Sequence, residues 1–129
     1  MLPGAHFTNP QLSWKFEIAP ADLGFVNGRG LGPEYAGDLI LGAARNFLLG
    51  GQLWRFQLSD DRLNLVFSDA RLADRVADNL DKYDLTESES LLFGTGFGIS
   101  TDIVTGPNGN LFVVSLSQGT IYEISRGAP

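Results

Sequence analysis

The stretch GPNGNLFVVSLSQGTIYEI, residues 106–124, decides the fold, because it consists of two strand patterns and two turn signals. Residues 111–116 are apolar and β-branched, and the run is too short for a typical helix. Asn108-Gly109 predicts a type I′ turn, since both residues tolerate the positive φ that this turn requires. Gln118-Gly119 predicts a second turn, and residues 120–124 then alternate. The stretch therefore predicts an antiparallel meander, which needs neighbours because a lone hairpin is marginally stable in water.

Length and charge limit the classes of protein to which this chain can belong. The 129 residues are enough for one domain with its own core, and sixteen glycines against one methionine indicate many tight turns and few long helices. The net charge is −6, and the nine Lys and Arg residues are scattered along the chain. Because phosphate binding needs clustered basic side chains, this distribution argues against a nucleic-acid surface.

Other functional classes are excluded by what the sequence lacks. It contains no cysteine, which removes disulfides, thiolate chemistry and Cys-type zinc sites. Its single histidine, His6, lies near a terminus, where we expect it to be solvated rather than catalytic. No apolar stretch approaches the roughly 20 residues needed to span a bilayer. The first ten residues lack the pattern of a signal peptide.

The upstream half of the chain predicts several more strands. They are residues 14–18, 20–26, 39–41, 52–58 and 63–67, separated by a glycine-rich loop before residue 39 and by a loop at 43–51. Residues 69–90 are charged and poor in β-branched residues. They fit a helix, with Leu72, Val76 and Leu80 at four-residue spacing, or an irregular connection with one short strand.

An internal repeat links the two halves. Residues 37–41 followed by 51–56 resemble 109–113 followed by 119–124: a small turn, an apolar strand, a glycine-containing loop, and a strand with apolar, aromatic and charged residues. Two meanders with no helix between them predict radially repeated, antiparallel four-stranded blades. Two blades cannot close a ring, and repeats bury their cores only against neighbours. We therefore expect an all-β chain with about two blades of a larger propeller.

The expected division of the chain follows from this repeat. Residues 1–13 form a loop or an incomplete edge, 14–68 form one blade, 69–92 form a charged connection, and 93–129 form a partial last blade. Trp14 and Trp54 are interpreted as packing aromatics within the blades.

Four motifs carry a family resemblance: LGPEYAGDLILG, GQLWRFQLSDDRLNL, LADRVADN, and FGTGFGISTDIVTGPNGNLFVVSLSQGTIYEI. The last is the most specific, because its Phe-Gly loop, Thr-Asp pair, Gly-Pro-Asn-Gly turn and Gly-Thr-Ile-Tyr strand occur in family order and spacing. From about residue 14 to 125, the chain resembles the C-terminal part of the glucose/sorbosone dehydrogenase family. These proteins are six-bladed propellers related to soluble sugar dehydrogenases that use pyrroloquinoline quinone (PQQ).

The resemblance implies a chemistry for the full-length protein. Family members oxidise sugars or related aldehydes and alcohols, with PQQ at the top of the central channel, calcium holding the cofactor, and a separate electron acceptor. A histidine acts as general base, and members are typically exported, which implies a periplasmic or secreted location. Nothing in this chain matches the surroundings of that histidine. We therefore expect the catalytic base to lie outside the chain, and the chain alone to be inactive.

Three residues fall at places that the family uses for its cofactors. Arg45 lies where quinoprotein members carry a basic residue, so the resemblance implies a contact with PQQ carboxylates, against the alternative of a solvated loop arginine. Ile99 and Thr101 stand where PQQ-binding relatives carry two arginines, and neither can neutralise a carboxylate. Thr101 is still a candidate cofactor contact by position. Asp102 is a candidate ligand for a cation, or a structural carboxylate that accepts backbone N–H bonds in a turn.

Two functional hypotheses remain open. The run of family motifs favours a sugar dehydrogenase-like enzyme, with PQQ and calcium as cofactors. The replacements at Ile99 and Thr101 favour a propeller without chemistry, which binds a partner or a glycan on its top face.

Overall fold

The computed structural model describes residues 2–44 and 50–127. The strands, in chain order, are β1 (Ser13–Trp14), β2 (Pro20–Phe25), β3 (Leu39–Ala43), β4 (Gln52–Leu58), β5 (Leu65–Val66), β6 (Val76–Ala77), β7 (Leu92–Thr95), β8 (Ser100–Thr105), β9 (Leu111–Ser115) and β10 (Thr120–Ile124). Short 3₁₀ helices lie at Pro33–Tyr35, Ala70–Asp74 and Ser88–Leu91. The described residues contain no α-helix and no closed barrel, so the predicted all-β class of antiparallel sheets is confirmed.

The first sheet is the meander β2-β3-β4, with its fourth position shared by two short strands. β5 pairs with the end of β4, and β7 pairs with its beginning. β4 is buried on both faces instead of alternating, because Leu53 faces the second sheet while Trp54 and Phe56 face the second apolar cluster, and only Gln57 is exposed. Residues 92–95 therefore complete the first sheet, whereas the sequence assigned all residues from 93 onward to the last blade.

The second sheet is the meander β8-β9-β10, which residues 106–124 predicted. The β8–β9 turn differs in type from the expected one. Gly109 N–H donates to the Gly106 carbonyl at 2.9 Å, so Pro107 and Asn108 are the central residues. Only Gly109 has a positive φ, of 80°, and Asn108 does not. The type I′ prediction was wrong because Pro107 fixes its own φ near −65° and suits the first central position of an ordinary turn.

The two sheets share one register pattern, which confirms the repeat seen in the sequence. The equivalent pairs are Leu39 opposite Phe56 with Leu111 opposite Ile124, and Ala43 opposite Gln52 with Ser115 opposite Thr120. The edge strands β2 and β8, which pack against each other and are called the inner strands from here on, extend the equivalence, because each is bulged after its first residue. Asp22 and Asp102 follow these bulges and so occupy equivalent positions.

The sheets stack face to face, with β2 against β8. Their shared core is apolar and consists of Val26, Leu31, Ile40, Leu53, Ile103, Leu111 and Val113. At Gly24 the backbones approach so closely that a Cβ would lie 2.1 Å from the Ile103 carbonyl oxygen. Thr105 adds a polar link, since its hydroxyl donates to the Phe25 carbonyl at 2.8 Å and accepts from Asn27 N–H at 3.0 Å.

Residues 69–92 form an irregular connection with one short strand, and the α-helix alternative is not adopted. Asp69 caps a 3₁₀ helix by accepting a bond from Arg71 N–H, and Arg75 ends it with a φ of 65°. The chain then enters β6, which pairs in parallel with β1. This layer covers a second cluster of the first sheet, in which Trp14 packs edge-on against Trp54 at 5.8 Å, as expected of packing aromatics.

The predicted strand at 14–18 is mostly absent because a side chain replaces its backbone partner. After Lys15 N–H bonds the Ala77 carbonyl, both backbone groups of Phe16 bond the Asn79 amide. Asn79 is fully buried and also donates to the Asp81 carbonyl at 2.9 Å. One side chain thus ties the N-terminal segment to the connection.

Replacing Asn79 by alanine should lower the free energy of unfolding by about 2–3 kcal/mol, because a fully buried side chain loses its hydrogen bonds with Phe16 N–H, the Phe16 carbonyl and the Asp81 carbonyl. The measurement is urea unfolding. Asn64→Ala is the matched control, since the exposed Asn64 side chain, among the described residues, accepts one bond at 3.3 Å, from the Gln11 amide, and its loss should cost less than about 0.5 kcal/mol. Equal costs for the two variants would contradict the tying role of Asn79.

Gly24→Ala should cost about 1–3 kcal/mol or more, because its Cβ would overlap the backbone of Ile103 and push the two sheets apart. Gly127→Ala is the control, as a Cβ there meets open space. Thermal or urea unfolding measures both, and an unchanged Gly24→Ala stability would show that the sheets do not approach as closely as described.

Candidate functional site at the start of the inner strands

A buried polar contact joins the two sheets where the inner strands β2 and β8 begin. The Ser100 hydroxyl donates to Asp22 Oδ1 at 2.8 Å and so links the two sheets. Ser100 is buried, at 1% exposure. Room for this pair depends on Gly42 in β3, because a Cβ there would lie 2.0 Å from Ser100 Oγ and 2.1 Å from Asp22 Oδ1. The contact is thus built from three separate strands.

The environment of Asp22 disfavours its charge. Burial raises the pKa of this carboxyl above its usual value, the negative charge of Asp102 adds to the effect, and the Ser100 hydrogen bond opposes it. Asp22 Oδ2 is buried and accepts no hydrogen bond from the described residues. Within residues 2–44 and 50–127, no cation is among the groups that shift this pKa. The two described carboxyls at this end, Asp22 and Asp102, therefore face each other's charge without a described basic partner.

Further hydroxyl groups line the same end of the second sheet. Ser115 lies directly opposite Ser100, is 1% exposed, and its Oγ finds no partner within the described part of the chain. Ser117 Oγ accepts a bond from Ile99 N–H at 2.8 Å, and Ile99 C=O accepts from Leu116 N–H. These two bonds attach the loop before β8 to the turn between β9 and β10.

The structure places the candidates from sequence as follows. Thr101 and Asp102 are exposed and lie within β8, so Asp102 is not in a turn and accepts no backbone bond from residues 2–44 and 50–127. Ile99 is half-buried and contributes backbone bonds. Arg45 lies outside the described residues. Sequence reasoning missed Asp22, although the equivalent bulges of β2 and β8 make it the partner of Asp102 in the repeat.

The carboxylates and hydroxyls at the start of the inner strands limit the ligands that this site can bind. Carboxylates and hydroxyls suit cations or the hydroxyl groups of a polar ligand. Within residues 2–44 and 50–127, however, no three His, Asp or Glu residues come close enough to hold a metal. By themselves, the described side chains of this set do not hold PQQ, because an anionic quinone needs cations, and Asp22 and Asp102 would repel its carboxylates. His6, the single histidine, is exposed in the N-terminal segment.

A cleft of about 400 Å³ lies elsewhere, along β4 where the fourth strand changes from β5 to β7. Its charged member, Arg55, is already engaged: Nε bonds Asp38 Oδ2 at 2.5 Å, and the guanidinium lies 4.3 Å from the centre of the Tyr35 ring. A further bond joins Arg55 to the Glu34 carbonyl. The cleft therefore offers no free charge to a ligand, and the strand-end cluster is the stronger candidate.

Comparison with known proteins adds no assignment, since no family model, no curated protein and no solved structure matches the chain. In the part of the chain that the structure describes, no helix has the length and apolar character needed to cross a membrane.

Asp22→Asn should remove a pH-dependent part of the stability. A carboxyl whose pKa is raised on folding stabilises the fold fully below its unfolded pKa, near 3.8, and this contribution is lost as pH rises through the higher folded value. The unfolding free energy of wild type should therefore fall relative to Asp22→Asn as pH increases from about 3.8.

Asp61→Asn provides a control of opposite sign. The Ser59 hydroxyl and Leu63 N–H hold the pKa of Asp61 below its usual value, so its contribution is present above that value and is lost as pH falls. Urea unfolding over a pH series measures both differences. If the unfolding free energy of wild type rose relative to that of Asp22→Asn with increasing pH, the raised pKa of this carboxyl would be contradicted.

Proposed function

We propose that the chain is the C-terminal part of a sugar dehydrogenase-like β-propeller, which in full form oxidises an aldose or a related sugar aldehyde or alcohol. The observation that carries the proposal is the repeated module. Two antiparallel sheets of equivalent register stack face to face, and their inner strands begin side by side with an Asp at the same position of each. Three of the four family motifs lie on these sheets and their turns, and the motif at residues 72–79 lies on the connection.

The place of the polar cluster supports this reading. Side chains at the start of inner strands face the axis in a radial arrangement of sheets, and that is where a propeller presents residues to a ligand. The exposed carboxylate of Asp102 supplies hydrogen-bond acceptors suited to sugar hydroxyls, and the buried Asp22–Ser100 pair links its strand to the first sheet. Substrate contact through these groups needs no catalytic residue in this chain, in keeping with the expectation that the general base lies in another sheet.

The cofactor is a separate part of the proposal. PQQ, when bound, supplies a two-electron acceptor, and calcium would balance part of its charge. Since Ile99 and Thr101 are neutral and the described strand ends are acidic, cations for the quinone would have to come from Arg45, from calcium or from other sheets. A periplasmic or secreted location and an external electron acceptor follow from the resemblance alone.

The second candidate is a binding or scaffold propeller that uses the same cluster without redox chemistry. The observation that favours it is the negative, hydroxyl-lined character of the strand ends, which suits a polyhydroxy ligand better than an anionic quinone. Both candidates share a sugar-like ligand and differ in the quinone.

The deciding experiment uses the full-length protein that carries this chain. Titration calorimetry with PQQ, with and without calcium, should show calcium-dependent binding, and an aldose should then reduce a dye. Asp102→Asn should weaken calcium-dependent binding by about tenfold or more if its carboxylate helps to hold the cation, while Asp60→Asn, an exposed turn residue, should leave it unchanged. Aldose binding without any quinone binding would replace the enzyme with the binding propeller, and binding of neither ligand would overturn both.

A further inference from the structure

The sequence contains two Asn-Gly pairs, Asn27-Gly28 and Asn108-Gly109, and the structure gives them different environments. An asparagine before a glycine is chemically reactive, because the glycine nitrogen can attack the side-chain carbonyl carbon and no Cβ hinders its approach. Both asparagines are exposed. Accessibility alone therefore does not distinguish the two pairs, whereas the hydrogen bonds that hold them do.

The reacting groups of Asn27-Gly28 are unbound. Among residues 2–44 and 50–127, the Asn27 side-chain amide has no hydrogen-bond partner, and the Gly28 N–H donates no bond. Gly28 has a φ of 82°, and a Cβ built on it would meet nothing within 4 Å. Neither hydrogen bonds nor neighbouring atoms therefore oppose the approach of the Gly28 nitrogen to the Asn27 side chain.

The backbone on both sides of this pair is anchored to the second sheet. Asn27 N–H donates to Thr105 Oγ1 at 3.0 Å. Gly30 lies so close to the turn before β9 that a Cβ there would be 2.3 Å from the Gly109 carbonyl oxygen. A change of backbone length at residue 27 would therefore act on the contact between the two sheets.

The reacting groups of Asn108-Gly109 are all held. Gly109 N–H donates to the Gly106 carbonyl at 2.9 Å, which directs the nitrogen into the turn. The Asn108 side chain donates to Glu123 Oε1 at 2.9 Å, and its oxygen accepts from Asn110 N–H at 3.1 Å. Conversion of Asn108 to aspartate would also place a second carboxylate beside Glu123, and like charges repel.

We propose that Asn27 is a site of spontaneous covalent modification, because the native fold permits deamidation at Asn27-Gly28 and suppresses it at Asn108-Gly109. The Gly28 nitrogen loses its proton to base and attacks Asn27 Cγ. A new C–N bond forms, the bond to the amide nitrogen breaks, and ammonia leaves with a proton from solvent. Water then opens the succinimide at either carbonyl, which gives aspartate or isoaspartate. Both products add a negative charge, and isoaspartate also lengthens the backbone by one carbon atom.

This modification site is separate from the polar cluster at the start of the inner strands. Asn27 follows the end of β2, whereas Asp22 lies near its beginning. The reaction consumes only water and needs neither a sugar nor a quinone. Its failure and the failure of the proposed function are therefore distinguishable.

The test follows both pairs in the full-length protein that carries this chain, kept folded at mildly alkaline pH. Trypsin cleaves after Lys and Arg, so Asn27 is recovered on the peptide 16–29 and Asn108 on the peptide 83–126. Mass spectrometry with fragmentation gives each rate, and labelling by an isoaspartyl methyltransferase identifies isoaspartate. Asn27 should convert about tenfold or more faster than Asn108, because the bonds of Asn108 and Gly109 must open before that pair can react.

Two comparisons test whether the fold sets this order. In urea both pairs are released, and the two rates should become similar. Glu123→Ala, at an exposed position, should accelerate Asn108 and leave Asn27 unchanged. Equal rates in the folded protein, a faster Asn108, or no conversion at Asn27 would each overturn the proposal. An order that persists in urea, or an Asn108 rate that Glu123→Ala leaves unchanged, would overturn it as well.

Discussion

The contact between the inner strands β2 and β8 is the constraint on which the rest of the structure depends. Gly24 allows the backbone of one sheet to touch that of the other at Ile103. Because this point is fixed, Ile40 and Leu53 of the first sheet meet Leu111 and Val113 of the second, and together they form the shared core. The same approach brings the beginning of β2 to the beginning of β8, and so creates the Asp22–Ser100 link.

The sheet contact is chemically uneven along its length. Its middle is apolar, as burial requires, whereas its end at the start of the inner strands holds a carboxyl and two buried hydroxyls. Burying a carboxyl with a single hydroxyl donor costs stability, and the raised pKa of Asp22 is the sign of that cost. An apolar pair at these positions would stack more favourably. The polar end is therefore the part of the contact that packing does not explain, and this is the physical reason for placing the candidate site there.

Sequence patterns predicted the local strands and turns, but they did not predict contacts between residues that are distant in the sequence. The alternation at 52–58 and the turn residues at 106–119 predicted the two meanders, because strand period and turn chemistry are local. The strand predicted at 14–18 stops early because the Asn79 side chain, 63 residues away from Phe16, takes over its backbone bonds. Asp22 was missed for the same reason: Ser100, the residue that makes it a site, is 78 residues away. The internal repeat is the sequence feature that relates distant residues, and at the level of sequence it is visible for β3–β4 and β9–β10 but not for β2 and β8.

Equivalent positions in the two sheets have different chemistry, and the difference comes from their neighbours. Asp22 and Asp102 follow the same bulge on the same kind of strand, yet Asp22 is covered by the second sheet and bonded by Ser100, while Asp102 is exposed. Because Ser100 already occupies Asp22 and Asp22 Oδ2 is buried, Asp102 is the carboxylate of this pair that stays accessible to a ligand. Stacking of the two sheets thus leaves the acidic position of the first sheet structural and that of the second sheet open.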